Sequence, residues 1–170
     1  ILVLTHLAAL ASSAARAPVR AEPVEVEHVR GRLSLPTAPE KVVVFDLASL
    51  DVLDALGVKV AGVPRGPKPA YLAKYQDAKY PKMGTLFEPD YEAVSVLSPD
   101  LIVVGLRSWP KFEALSKIAP TIDLTIDPVH LVDSAKRHAL TLARLFGKDA
   151  EATARIAKLD AAIGAVRARA

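Results

Sequence analysis

Two unbroken apolar runs, KVVVF at Lys41–Phe45 and LIVV at Leu101–Val104, constrain this chain more than any other feature. A strand with one wet face alternates apolar and polar residues, whereas a run without polar relief needs cover on both faces. Strands of that kind pair in parallel and are joined by crossover helices. The segments between the runs meet this need. Asp46 is placed to cap a helix over Leu47–Leu56, with Leu50, Leu53 and Leu56 inward and Gly57 as the stop. Val58–Val63 reads as a second short strand, followed by a rigid loop with Pro64, Gly66, Pro67 and Pro69. A helical turn at Tyr71–Tyr75, a brief strand at Lys82–Gly84 and a short helix at Tyr91–Leu97 come next. After LIVV, Pro110 opens a helix running to Ile118, supported by the Glu113–Lys117 pair. Pro120 ends it, Thr121–Ile126 alternates as a strand, and Val129–Phe146 has the spacing of a long helix stopped by Gly147. Ahead of the repeating part, Val24–Val29 and Leu33–Leu35 flank Gly31 as a small hairpin. The expected fold class is α/β: a three-layer, Rossmann-like unit with a mostly parallel sheet, an N-terminal hairpin and a long C-terminal helix.

The two ends carry their own signals. Ile1–Ala15 is apolar and small, and it closes on Ala15-Arg16-Ala17 before Pro18. Residues 1–17 therefore read as the remnant of a secretory signal, too short and too interrupted to span a bilayer. The chain has no Cys, so neither lipid attachment at a processed N-terminus nor a disulfide scaffold is expected. At the other end, Lys148–Ala170 reads as one amphipathic helix, with Ile156, Leu159, Ile163 and Val166 on one face.

Composition narrows the function. With 51% hydrophobic and 24% charged residues the chain is no disordered tail. Its 22 basic against 19 acidic residues leave +3, dispersed and without interleaved aromatics, so no nucleic-acid partner is expected. The four histidines, His6, His28, His130 and His138, are not at ligand spacing with a third donor, so no metal site is expected. His28 reads as an exposed strand residue and His138 as a helix-surface residue. No Gly-x-Ser-x-Gly elbow, P-loop or Gly-x-Gly-x-x-Gly follows a strand, which weighs against a small α/β enzyme. Asp46 is one candidate for a catalytic carboxylate at a strand end, but it has no obvious partner, and helix capping accounts for it better.

In open parallel sheets ligands collect at the carboxyl ends of the strands. Those ends are Phe45-Asp46, Val63-Pro64-Arg65 and Gly105-Leu106-Arg107-Ser108. Arg107 and Arg65 therefore stand where a fork of donors would meet an oxygen-rich anion. Trp109, two residues beyond Arg107, is placed as an apolar wall or a cation–π partner.

Three segments in order carry a family resemblance: VVVFDLASLDVLDALGV (Val42–Val58), AYLAKYQDAKYPKMGTLFEPDYEAV (Ala70–Val94) and LSPDLIVVGLRSWPKFEALSKIAPTIDLT (Leu97–Thr125). Over Glu25–Ala170 the chain resembles the iron–siderophore substrate-binding proteins of bacterial ABC importers, the class with a rigid helical backbone. The branch it is most similar to handles catecholate-type siderophores. The resemblance implies a monomeric periplasmic binding protein whose ligand sits between two lobes joined by a long helix. Residues 18–148 would be the N-terminal lobe and 149–170 the inter-lobe helix, with the C-terminal lobe lying outside the chain. It implies that Arg107 faces the siderophore and that Arg65 stands where a Lys is common. Leu106 departs from the Gly usual before that Arg. It implies further that Glu92, or alternatively Glu88, meets arginines of the membrane permease. No cofactor is implied, because iron travels inside the siderophore. The alternatives are a haem or cobalamin binder, with Tyr71 and Tyr91 as candidate axial ligands, a small α/β enzyme, or a partner-binding lobe without transport function.

Overall fold

The alternation of side chains along two short strands organises everything else. In the computed structural model, which describes residues 23–169, β3 (Val42–Val44) and β4 (Leu101–Val104) are buried at every position. Val42, Val44, Leu101 and Val103 point to one face of the sheet. There they meet Leu50 and Leu53 of α1 (Leu47–Ala55) and Leu142 and Leu145 of α4 (Leu131–Leu145). Val43, Phe45, Ile102 and Val104 point the other way, onto Val94 of α2 (Tyr91–Leu97) and Leu115 of α3 (Phe112–Leu115). The result is helix, sheet, helix: three layers with a separate apolar cluster on each side of the sheet.

The sheet is parallel, in the order β3-β4-β5, with β5 at Thr121–Asp123. Val43 lies opposite Ile102, and Val103 opposite Ile122. The strands expected at Val58–Val63 and Lys82–Gly84 shrink to single parallel bridges, Val43 to Gly62 and Val63 to Lys82. Proline is the cause. Pro64 closes the first segment and Pro81 opens the second, and neither offers an N–H, so each ladder is cut to a few bonds. The bonds that survive include Ala61 N–H to Val42 O at 2.8 Å, Val44 N–H to Gly62 O at 3.1 Å, and Val63 N–H to Pro81 O and Met83 N–H to Val63 O, both at 3.0 Å. Gly62 lets the strands cross closely: a Cβ there would lie 2.6 Å from Met83 Cγ, so a larger residue forces that side chain to move.

An antiparallel hairpin precedes the sheet, β1 (Val24–His28) with β2 (Gly31–Leu35), and it adds Val26 and Leu35 to the larger cluster. The helix expected from Pro110 to Ile118 begins as a 3-10 turn at Trp109–Lys111 and is regular only over α3. The strand expected to reach Ile126 ends at Asp123, whose carboxylate accepts from Thr125 N–H at 2.9 Å and folds the chain away. The long helix starts at Leu131 rather than Val129. Asp127 accepts the Val129 N–H at 2.8 Å and contacts His130 Nδ1 at 2.9 Å, which holds those residues in a turn. α5 spans Asp149–Arg167; its Ala152 packs with Leu56 and Ala143, whereas Leu159 and Val166 are exposed. None of the described helices is long and apolar enough to cross a membrane. The reading of residues 1–17 as a signal lies outside the described residues.

Two histidines are more enclosed than their sequence positions suggest. His28 is half-buried, stacks at 5.9 Å on Phe112, and its Nδ1 accepts from the N–H groups of Arg30 and Asp123 at 3.3 Å. His138 is half-buried as well, with a buried Nδ1 that has no hydrogen-bond partner. The hairpin folds back over α4 and β5, and this covers both. Burial pushes both pKa values down, against the pull of Asp123 on each and of Asp46 on His138. A histidine depressed in the folded state stays neutral there while the unfolded chain takes up a proton. The stability involved is fully present above the ordinary value of 6.5 and is lost as pH falls below it. The melting temperature should therefore drop between about pH 7.5 and 5.5, and a His28→Asn/His138→Gln variant should flatten that drop.

Candidate functional site

The carboxyl ends of β3, β4 and β5 open on one side of the sheet, and a hollow of about 270 Å³ lies there. Its walls are apolar: Leu86, Leu106, Leu124, Ile126, Pro128 and Leu131, with Phe45 behind them. Two charged side chains border it, Asp46 and Arg107. Asp46 is committed to α1, accepting from Ser49 N–H at 2.8 Å and Ser49 Oγ at 2.7 Å. Arg107 is exposed and pairs with no carboxylate among the described residues. A guanidinium without a partner at the rim of an apolar hollow suits a large anion with apolar edges.

The turn that carries Arg107 is braced from below. Ser108 is fully buried, and its hydroxyl donates to Phe45 O at 2.9 Å while accepting from Gly105 N–H at 3.0 Å. Trp109 N–H closes the turn on Gly105 O at 2.8 Å. Gly105 has no room for a side chain, since a Cβ would lie 2.5 Å from Asp46 Cγ. Sequence reasoning passed over Ser108, although a lone Ser between Arg107 and Trp109 at a strand end was the available signal.

Trp109 stands outside the hollow. Its ring is under Arg30, whose guanidinium carbon lies 5.6 Å from the ring centre and 4.7 Å from that of Phe112. Arg30 Nε also donates to Asp123 Oδ2 at 3.0 Å, and the Asp123 side chain is 3% exposed. The cation–π partner of Trp109 is thus Arg30, from the hairpin, and not Arg107.

Arg65 is exposed, follows the buried Pro64, and does not border the hollow. Like Arg107, it has no carboxylate partner among the described residues. Its loop is held by two lysines used as internal braces. Lys68 Nζ donates to Pro64 O at 2.7 Å, and Lys82 Nζ to the carbonyls of Tyr75 and Asp77 at 2.8 Å. Burial, with the charge of Lys82 nearby, holds Lys68 below the usual lysine range. Glu88 is paired with Lys111 Nζ at 3.0 Å. Glu92 is exposed in the first turn of α2, where Asp90 supplies the cap. A wider groove of about 830 Å³ runs between the hairpin and helices α4 and α5, and it takes no residue from the strand ends. The described residues contain no cluster of three metal-ligating side chains.

Comparison with known proteins identifies the family and the fold. The periplasmic binding protein family matches residues 42–170. The chain is 40% identical over 150 residues to the petrobactin-binding protein YclQ of Bacillus subtilis, covering 86% of this chain and 47% of that one. It is 32% identical to the ferric-anguibactin-binding protein FatB of Vibrio anguillarum, covering 86% of this chain and 47% of the relative. The crystal structure of YclQ superposes with a TM-score of 0.81 over 85% of this chain and 52% of that one. The periplasmic catecholate-siderophore binding protein VctP of Vibrio cholerae does so at 0.78, with 37% identity, over 82% of this chain and 51% of the other. The chain spans about half the length of the curated relatives it matches.

The bracing of the Arg107 turn makes a direct prediction. Ser108→Ala leaves Phe45 O and Gly105 N–H buried without partners. It should lower folding stability by about 1–3 kcal/mol, read from urea unfolding.

Proposed function

Because the chain belongs to the periplasmic binding protein family, we propose that it captures a ferric siderophore outside the cytoplasm and delivers it to the permease of an ABC importer. The observation that carries this reading is Arg107, at the strand-end hollow and without a carboxylate partner among the described residues. A ferric tris-catecholate is a bulky trianion with aromatic edges. Apolar walls receive its rings, and a guanidinium meets its oxygens through charge-assisted hydrogen bonds worth roughly 1.5–3 kcal/mol each. The relatives support the ligand class: those named above bind petrobactin, ferric anguibactin and a catecholate siderophore. The family and these relatives are binding proteins, which favours capture over catalysis.

On this reading residues 18–148 form the N-terminal lobe, and α5 leads toward a second lobe that closes the other side of the cleft. The half-length coverage of the relatives supports that division. Arg65 serves as an outlying cation for a ligand larger than the hollow, and Trp109, outside the hollow, as an outer apolar contact for the same ligand. Glu92 is the better candidate for contact with the permease, since Lys111 already occupies Glu88. The protein works as a monomer in the periplasm and needs no cofactor of its own, the iron being cargo. The haem reading is less well supported, because neither Tyr71 nor Tyr91 borders the hollow.

The test is titration of the full-length protein with a ferric tris-catecholate, followed by fluorescence quenching. Arg107→Ala should weaken binding by about 10- to 100-fold with little change in melting temperature. Absence of binding by the unsubstituted protein would overturn the proposal. Tight haemin binding in a parallel absorbance titration would replace it with the haem reading.

A further inference from the structure

We propose that Arg30, at the tip of the N-terminal hairpin, is a positioning residue that sets the aim of Arg107; this rests on the ligand role given to Arg107 above. Arg30 touches three parts of the fold with one side chain. Nε donates to the buried carboxylate of Asp123 at 3.0 Å, at the end of β5. The guanidinium carbon lies over the rings of Trp109 and Phe112, 5.6 and 4.7 Å from their centres. Nη2 reaches Trp109 O at 3.5 Å, and Nη1 lies 3.5 Å from Glu113. The hairpin tip is itself fixed, because Val29 N–H donates to Asp123 O at 3.0 Å.

The consequence lies two residues back along the chain. The turn from Gly105 to Trp109 is closed by two N–H bonds to Gly105 O, from Ser108 at 2.9 Å and Trp109 at 2.8 Å. Ser108 ties its inner side to Phe45 O, and Arg30 holds its outer side through the ring of Trp109. Arg107 lies between these anchors, so the path of its Cα is set from both sides. Removing the outer anchor frees Trp109 to turn and lets Arg107 drift across the rim. Misplacement of a binding group by about 1 Å is enough to weaken recognition strongly. Lysine is not equivalent here. Its ammonium can still face Asp123, but it offers no flat face to lie on two rings. Arg30→Lys therefore removes the stacking while keeping a charge beside Asp123. It also avoids the stranded buried carboxylate that could stop Arg30→Ala from folding.

The experiment is a double-mutant cycle in the full-length protein, with a ferric tris-catecholate as probe and hydrogen exchange over Gly105–Phe112 as a ligand-free readout. Arg30→Lys should weaken binding by about 5-fold in the unsubstituted background, and by less than about 2-fold when Arg107→Ala is already present. Exchange in the 105–112 segment should accelerate while the sheet stays protected. A purely structural Arg30 would lower the melting temperature and weaken binding equally in both backgrounds; that result overturns the proposal, as does unchanged binding in Arg30→Lys. Binding that ignores Arg107→Ala would instead sink the functional reading. Accelerated exchange would then still support the brace, and unaltered exchange would overturn it in either case.

Discussion

Two-sided burial of β3 and β4 is the constraint on which the rest of this lobe depends. Seven strand residues and Phe45 are withdrawn from water, and each must find apolar cover above or below. The helices are placed by that need: α1 and α4 cover one face, α2 and α3 the other. Once both faces are closed, the strand ends are the part of the sheet left to meet solvent. A parallel sheet sends all those ends the same way. Asp46, Gly105 and Leu124 are brought side by side as a result, although they are far apart in the chain.

The site is built on that rigid edge by short-range hydrogen bonding. Ser108 joins the ends of β3 and β4 through one hydroxyl, and Asp46 spends its carboxylate on the start of α1. Asp123 is used up by Arg30 and Thr125. The acidic groups around the opening are thus absorbed into the scaffold. Arg107 has no such partner among the described residues, and this contrast sets it apart from the charges spent on the scaffold.

Much of the fold was legible because it follows from period and punctuation. The apolar runs, the Asp46 cap, the Gly57 and Gly147 stops and the Gly31 hairpin are local signals, and each lies where the residues suggested. The edge of the sheet was less legible. Val58–Val63 has strand composition, but Pro64 at its end and Pro81 before its partner limit pairing to isolated bridges, and the second of these lies nearly twenty residues away. Arg107 at the rim was readable from its position after LIVVG. The engagement of Trp109 by Arg30 was not, since it joins a hairpin turn to a loop 79 residues later. His28 and His138 escaped for the same reason. Nothing local to VEVEHV or to the α4 surface announces that the hairpin folds down over them.

The hollow beside Arg107 holds about 270 Å³, at or below the small end of ordinary ligand pockets. An occupant larger than that enters with one edge only, against the apolar walls and Arg107, while the Asp46 carboxylate stays turned to Ser49. Cargo seated here would stand proud of the surface with its outer half bare. Such a shape lends itself to a shared hold: a second surface can close on the exposed side while the first still grips.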